Sequence, residues 1–271
     1  MGKRVITGVV GAVLILSVLL FGKVIGMAAA MAVLAAVAAF ELLRAAEFGW
    51  GDRVPAMVLA AACPLLLLVD PWAPVAAGTL YLLLVLLMSV VRHATLPPER
   101  AGLLVLLPAV AAGGFTALAA LRADGEDGLL CVFLALVIPW LSDTGAYFTG
   151  VLCGKHRLCP VISPKKTVEG LVGGIVTSLL AAALTGWLYT LWCGHPVQVQ
   201  WVSLLFAAAV CAPLSVMGDL FASVVKRRFG VKDYGNIMPG HGGVMDRFDS
   251  VLPVAMLLLL WVQVWPVAVP V

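Results

Sequence analysis

The chain has 271 residues, of which 63% are hydrophobic and only 11% are charged, and its mean hydropathy is +1.10. Soluble globular chains contain about 45 to 50% apolar residues, so this composition excludes a soluble protein and indicates one that crosses a membrane several times. The net charge of +3 is too small to favour nucleic-acid binding.

Nine segments are apolar and have roughly the 20 residues that a membrane-spanning helix needs. They are residues 5–22, 24–40, 54–70, 73–91, 102–121, 129–149, 168–192, 201–225 and 250–269. The first two are separated only by Gly22 and Lys23, so a short hairpin is an alternative for them. We expect an all-α polytopic protein with an N-terminal region, 1–130, and a second region, 131–271, that contains polar loops at 150–167 and 226–249.

The lysines and arginines predict the orientation of these spans. If the N-terminus is cytoplasmic, every basic residue except Lys23 and Arg122 falls on the cytoplasmic side. Membrane proteins concentrate basic residues on that side, so we expect the N-terminus inside and the C-terminus outside. Both polar loops then face the cytoplasm, where soluble nucleotides are found.

The eighth predicted span has polar residues on one helical face. Ser215, Asp219, Ser223 and Lys226 follow one another at intervals of four, four and three residues, which places them on the same side of a helix. An ionisable group costs about 2.5 to 3.5 kcal/mol at the bilayer centre, so Asp219 is expected to face protein or water. We interpret it as a candidate metal ligand; the alternative is an ion pair with Lys226.

A glycine-rich, cationic loop follows this span. Residues 226–243 read KRRFGVKDYGNIMPGHGG, and glycine permits tight turns and close backbone approach. Backbone N–H groups beside lysine and arginine suit a triphosphate. Asp246 and Asp249 come next, and with Asp219 they provide three carboxylates that suit Mg²⁺. Arg247 between them either pairs with a phosphate or shields the two aspartates.

Two further polar patches fall on the same side of the membrane. Asp143 lies in SDTGAYFTG, residues 142–150, where the sixth span ends. SPKKT, residues 163–167, leads into the seventh span and is typical of an anion-binding helix N-terminus. The alternative for SPKKT is a positively charged membrane anchor in which Thr167 caps the helix.

SVVKRRFGVKDYGNIMPGHGGVMDRFD, residues 223–249, resembles the signature of the bacterial phosphatidate cytidylyltransferases. The matching residues are Ser223, Lys226, Arg227, Lys232, Asp233, His241, Gly242, Gly243, Asp246, Arg247 and Asp249. Met238 stands where the family usually has Leu, Ile or Phe, and it is a flexible apolar substitute. SDTGAYFTG and SPKKTVEG also resemble the family, whereas residues 1–130 resemble it only as hydrophobic helices.

The resemblance implies a nucleotidyltransferase of phospholipid biosynthesis in the bacterial cytoplasmic membrane, which converts CTP and phosphatidate to CDP-diacylglycerol and pyrophosphate with Mg²⁺. The expected metal ligands are Asp219 and Asp246, with Asp249 and Asp143 as supporting ligands. The expected catalytic residues are Asp219, Asp246, Lys226, Asp249 and Arg247. The expected substrate-binding residues are Ser223, Arg227, Lys232, His241, Gly242, Gly243, Lys165, Lys166 and Asp143. His241 either binds phosphate or braces the glycine turn.

We expect Ser223, Lys226, Asp246 and Asp143 to line one cavity, open to the cytoplasm for CTP and sideways between helices for phosphatidate. Two other functions stay open: a related CTP-dependent lipid or polyprenol kinase, and a transporter with carboxylates at the membrane midplane. The ionisable residues cluster at one membrane face, which favours an enzyme. The expected partners are the two substrates and the bilayer, and the chain is compatible with a homodimer.

Overall fold

The structure, a computed structural model, describes residues 17–236 and 242–270 and is mostly helical. Six of its helices are long and apolar enough to cross a membrane, judged by length and composition. Large apolar side chains such as Leu80 and Leu87 are exposed on these helices, as expected of surfaces that contact lipid. The prediction of a mainly α-helical polytopic membrane protein is therefore confirmed.

Residues 17–21 are helical, and nine further helices and four short strands follow them within the described residues. The helices are α1 (Lys23–Ala45), α2 (Trp50–Leu66), α3 (Ala73–Val91), α4 (Pro98–Ala123), α5 (Gly128–Cys153), α6 (Val168–Trp192), α7 (Trp201–Arg228), α8 (Met245–Phe248) and α9 (Val251–Val264). The strands are β1 (Arg157–Cys159), β2 (Ser163–Thr167), β3 (Val197–Val199) and β4 (Ala268–Pro270). β1 pairs antiparallel with β2, and β3 pairs antiparallel with β4.

Each predicted span overlaps a helix in the part of the chain that the structure describes, although several ends differ. The segments 73–91 and 168–192 match α3 and α6 to the residue. α2 and α9 have 17 and 14 residues and are not among the six long helices. Residues 5–16 of the first predicted span lie outside the described residues, so the count of nine spans stays a prediction.

Three boundaries differ from the sequence prediction near the polar loops. α7 continues to Arg228, so Lys226 and Arg227 belong to its last turn and not to a loop. The ninth segment is helical only to Val264, after which the chain forms β4. α5 continues to Cys153 rather than ending at 149, whereas α6 begins after Thr167 as predicted and is preceded by SPKKT as a strand.

The described residues form two compact units, of which the first comprises Met1–Ala120 and Phe229–Phe248. In it the alanine-rich face of α1 packs against α2, and Ala35 is fully buried there. Small side chains allow two membrane helices to approach closely. The ring of Phe248 contacts Phe115 with 5.2 Å between centroids, so the signature segment packs against α4 within this unit.

The second unit comprises Leu121–Arg228 and Asp249–Val271. In it α5 and α6 lie very close together, because glycines face the partner helix at their contact. A Cβ atom at Gly145 would collide with Thr177, and a Cβ atom at Gly174 would lie 2.8 Å from the backbone oxygen of Ser142. This contact fixes the end of α5, which carries Asp143, beside the start of α6.

Candidate active site

An ion pair joins α7 and β2 in the second unit. The Nζ atom of Lys166 lies 2.5 Å from Oδ2 of Asp219, and the two side chains are only 22% and 31% exposed. Partly buried pairs are screened less by solvent than surface pairs. The sequence suggested Lys226 as an alternative ion-pair partner for Asp219, but this observed partner comes from the SPKKT segment, which is distant along the chain.

Asp219 and Lys166 line a cavity of about 560 Å³. Its wall also includes Asp143 of α5, Lys165 of β2 and Arg157 of β1. Ligand sites usually measure about 300 to 1,000 Å³, so the volume suits a nucleotide or a lipid headgroup. Two carboxylates and three cations therefore surround one cavity.

The hairpin that supplies these cations is fixed at both ends. Thr167 caps α6, because its Oγ1 accepts a hydrogen bond from the N–H of Gly170 at 3.0 Å. Oε1 of Glu169 lies 2.6 Å from Nδ1 of His156, and its Oε2 accepts from the N–H of Lys155 at 3.0 Å. The capping role of Thr167 was one of the two sequence interpretations of SPKKT, and it is observed.

Asp249 lies between α8 and α9, outside the spanning helices, and is buried. Burial raises the pKa of Asp249 to about 7, the negative charge of Asp219 adds to the increase, and Lys226 opposes it. Its Oδ1 also accepts from the N–H of Ser250 at 2.8 Å. The charge on Asp249 is therefore costly unless a further cation compensates it.

The oxygen ligands of the cavity suit a hard divalent cation. Within residues 17–236 and 242–270, no three His, Cys, Asp or Glu side chains lie close enough to form a complete metal cage. Mg²⁺ commonly takes one or two carboxylates and completes its coordination with water and substrate phosphates. Asp143 and Asp219 line the same cavity, and this pair fits Mg²⁺ that arrives with a nucleotide.

Asp246 braces the glycine-rich segment in the first unit. Its Oδ2 accepts hydrogen bonds from the N–H of Tyr234 at 2.8 Å and of Gly243 at 3.0 Å. Gly242 has a φ of +86°, a conformation that glycine adopts without strain. A Cβ atom there would also lie 2.9 Å from Oδ2 of Asp246. The paired glycines and the following aspartate of the signature therefore form one turn.

Two charged residues of α1 contact the same segment. Glu41 is fully buried, and its Oε2 accepts from the N–H of Met245 at 2.9 Å. Arg44 donates from Nη2 to the backbone oxygen of Tyr234 at 2.6 Å. Sequence reasoning missed both residues. A signal was present, since an ionisable side chain within an apolar helix is costly and therefore usually has a function.

The remaining predicted site residues divide between the two units. Ser223, Lys226 and Arg227 belong to the last turns of α7 in the second unit. Among the described residues that line the cavity, Ser223 and Lys226 do not appear. Lys232 and Arg247 are exposed and belong to the first unit. The prediction for His241 lies outside the described residues.

Comparison with known proteins agrees with the signature. A family model described as the cytidylyltransferase family matches residues 2–265. The phosphatidate cytidylyltransferase of Bacillus subtilis is 33% identical over 265 residues, covering 93% of this chain and 94% of the relative. That of Staphylococcus aureus is 35% identical over 271 residues, covering 96% and 99%. That of Staphylococcus haemolyticus is 44% identical over 141 residues, and this match spans about half of each chain, 51% and 52%.

Proposed function

Because the chain belongs to the cytidylyltransferase family, we propose that it transfers the cytidylyl group of CTP to phosphatidate, forming CDP-diacylglycerol and pyrophosphate. The observation that carries the proposal is the cavity in which Asp219 pairs with Lys166 beside Asp143 and Lys165. Lysines suit the phosphates of both substrates, and the carboxylates suit the metal that accompanies a nucleoside triphosphate.

The reaction places its main demand on position and charge. A phosphate oxygen of phosphatidate attacks the α-phosphorus of CTP, in line with the leaving group. A new P–O bond forms, the bond from the α-phosphorus to the bridging oxygen breaks, and pyrophosphate departs with that electron pair. Phosphoryl transfer of this kind needs little covalent help from a protein, so none of these side chains has to act as a nucleophile.

The cationic and the acidic residues of the cavity have different proposed roles. Lys165 and Lys166 contact phosphate oxygens and reduce the repulsion between two polyanionic substrates. Asp143 and Asp219 would hold Mg²⁺, which supplies further charge compensation at the triphosphate when bound. The proposed site is completed by Ser223, Lys226, Arg227, Lys232, His241, Gly242, Gly243, Asp246, Arg247 and Asp249. All of these residues come from the region 131–271, with 1–130 as the N-terminal membrane region.

We extend the proposal to the membrane arrangement. Nine spans with the N-terminus inside and the C-terminus outside place the loops 150–167 and 226–249 at the cytoplasmic face of a bacterial inner membrane. The distribution of basic residues supports this orientation, since Lys23 and Arg122 alone among the lysines and arginines then lie on the outer side of the membrane. CTP then reaches the site from the cytoplasm and phosphatidate reaches it from the bilayer. A homodimer is a proposed assembly, to be tested by the mass of the protein in detergent.

The test is a transfer assay on detergent-solubilised protein with phosphatidate, Mg²⁺ and CTP labelled in either the cytidine or the γ-phosphate. We expect pyrophosphate release and a lipid product that retains the cytidine label. A lipid that retains the γ-phosphate instead would identify a kinase. A folded, metal-supplied protein that labels the lipid with neither would overturn the proposal.

A further inference from the structure

We propose that Glu41 is a positioning residue that holds the loop flanks, residues 234–236 and 242–246, and through them sets the position of Asp246. The inference rests on the proposed function, because it assigns Glu41 a part in the same reaction. It extends the site into α1, which the sequence signature does not include.

The first argument is the contact of Glu41 with both loop flanks. Its Oε2 accepts from the N–H of Met245 at 2.9 Å. A Cβ atom at Gly235 or at Gly243 would collide with the Glu41 carboxylate. Glycine at these two positions therefore makes room for the carboxylate, and one side chain lies against the chain on each side of residues 237–241.

The second argument is the energetic cost of this arrangement. Glu41 is 0% exposed, and among the described residues its Oε1 has no hydrogen-bond partner. A buried carboxylate with incomplete hydrogen bonding destabilises a protein relative to an apolar side chain of similar size. A membrane helix increases that cost. Packing alone therefore does not explain a glutamate here, whereas placement of the loop flanks does.

The third argument is that neighbouring contacts act on the same two flanks. Arg44 lies three residues beyond Glu41, on the same side of α1, and donates to the backbone oxygen of Tyr234. Asp246 in turn accepts from the N–H of Tyr234 and of Gly243. Together these contacts connect α1 to the loop flanks and the flanks to the Asp246 carboxylate.

The consequence concerns the backbone from which Asp246 projects. Met245 directly precedes Asp246, so the hydrogen bond that Glu41 accepts fixes the peptide next to that aspartate. A displacement of about 1 Å in a reacting group can lower a rate about 100-fold. Glu41 is thus expected to affect turnover through Asp246 without contacting a substrate.

The experiment compares Glu41→Ala, Glu41→Asp and Glu41→Gln with Asp52→Asn as the matched control. Asp52 is also a buried carboxylate of the first unit, but its observed partner is Arg92, at 2.6 Å. We expect Glu41→Ala to lower kcat about 100-fold. Glu41→Asp, whose carboxylate is retracted by one methylene, should lower kcat about tenfold. Glu41→Gln keeps an acceptor oxygen for Met245 and should stay within about threefold of wild type, as should Asp52→Asn.

A second measurement separates positioning from general stability and from the proposed function. Amide hydrogen exchange in residues 242–248 should accelerate in Glu41→Ala and Glu41→Asp, while exchange in α1 and α2 stays unchanged. A wild-type kcat in folded Glu41→Ala, or wild-type amide exchange in residues 242–248 of that variant, would overturn the inference. If Glu41→Ala does not fold, the same two measurements on Glu41→Asp decide the question. If the wild type lacks transferase activity but the exchange pattern changes as expected, the proposed function fails while the positioning contact stands.

Discussion

At the scale of single residues, the proposed catalytic role of Asp219 rests on two observed contacts. The residue pairs with Lys166, and it lines the cavity with Asp143. A side chain that balances a lysine and offers oxygen to a metal loses both abilities when its charge is removed. Its amide analogue keeps nearly the same shape, so the substitution isolates the charge.

We expect Asp219→Asn to lower kcat/KM about 100-fold or more, because preorganised charge at a transferring phosphoryl group has effects of this size. Pyrophosphate release at saturating Mg²⁺ measures it. Asp124→Asn is the control, since Asp124 is exposed and its carboxylate accepts a hydrogen bond from Nε2 of Gln263 at 3.4 Å. Near wild-type turnover in well-folded Asp219→Asn would remove Asp219 from the ligand set.

Asp246→Asn tests the aspartate that the family signature pairs with Asp219 as an expected metal ligand. The substitution replaces one carboxylate oxygen by an amide NH₂ group, which only donates; in the place of Oδ2 it accepts from neither Tyr234 nor Gly243. We expect turnover to fall by about 100-fold, together with faster hydrogen exchange in residues 242–248. A variant with full activity would show that neither the charge nor the brace is needed.

At the scale of elements, the contact of α5 with α6 depends on glycine. We expect Gly174→Ala to destabilise the protein by about 1 to 3 kcal/mol, the usual effect of an added methyl group in a tightly packed interior. The reason is that its Cβ would lie 2.8 Å from a backbone oxygen of Ser142, which cannot rotate away.

The thermal unfolding midpoint in detergent measures this effect. Gly78→Ala is the control, because no atom lies within 4 Å of a Cβ at that helical position, and alanine favours a helix by up to about 1 kcal/mol over glycine. Equal midpoints for the two variants would contradict the close packing of α5 and α6.

A contact between His195 and Asp127 holds the segment between α6 and β3. Nε2 of His195 lies 3.0 Å from Oδ1 of Asp127, and its Nδ1 lies 3.1 Å from the backbone oxygen of Cys193. The hydrogen bond to Asp127 raises the pKa of His195 above 6.5, partial burial opposes the increase, and Glu126 adds to it. The ring of Tyr189 faces the imidazole edge-on at 6.4 Å.

Because the folded-state pKa of His195 is raised, its stabilising effect is complete below the ordinary value of 6.5 and is lost as the pH rises through the folded-state value. We expect the unfolding midpoint of the wild type to decrease as the pH rises above about 6.5. His195→Gln and Asp127→Asn should each have a flatter profile. Parallel profiles for all three proteins would show that this pair does not contribute.

The sequence predicted the elements better than their contacts. α3 and α6 were located to the residue because polar residues or turns end their apolar runs. β2 was missed, since its lysines and proline carry no alternating pattern and its pairing depends on β1. The Lys166 to Asp219 pair and the Glu41 contact with Met245 join residues far apart in sequence, and nothing local predicts such partners.

At the scale of the whole molecule, the arrangement in the membrane is the feature most open to direct measurement. We expect single cysteines that replace Lys165 and Lys232 to react with an impermeant reagent only from the cytoplasm. A cysteine that replaces Asp124 should react only from outside. The physical reason is the preference of basic residues for the cytoplasmic side. Labelling is done on intact and opened cells, in a variant whose six native cysteines are replaced.

Opposite accessibility of positions 165 and 232 would exclude the nine-span arrangement, because their loops could not then serve one site. Reaction of all three positions from the same side would instead show that a predicted span does not cross. If a position does not react in cells, the labelling is repeated on protein solubilised in detergent. All three side chains are exposed and should react there.

The division of the chain into units bears on how such a protein can change over generations. Phe229–Phe248 belongs with Met1–Ala120, although the residues on both sides of it belong to the other unit. A recombination event near residue 130 would join a foreign N-terminal half to a signature segment that has lost Glu41, Arg44 and Phe115, its contacts in the native chain. The N-terminal hydrophobic helices therefore cannot be replaced by those of another protein without loss of these contacts. We expect the N-terminal half and the signature segment to be inherited together.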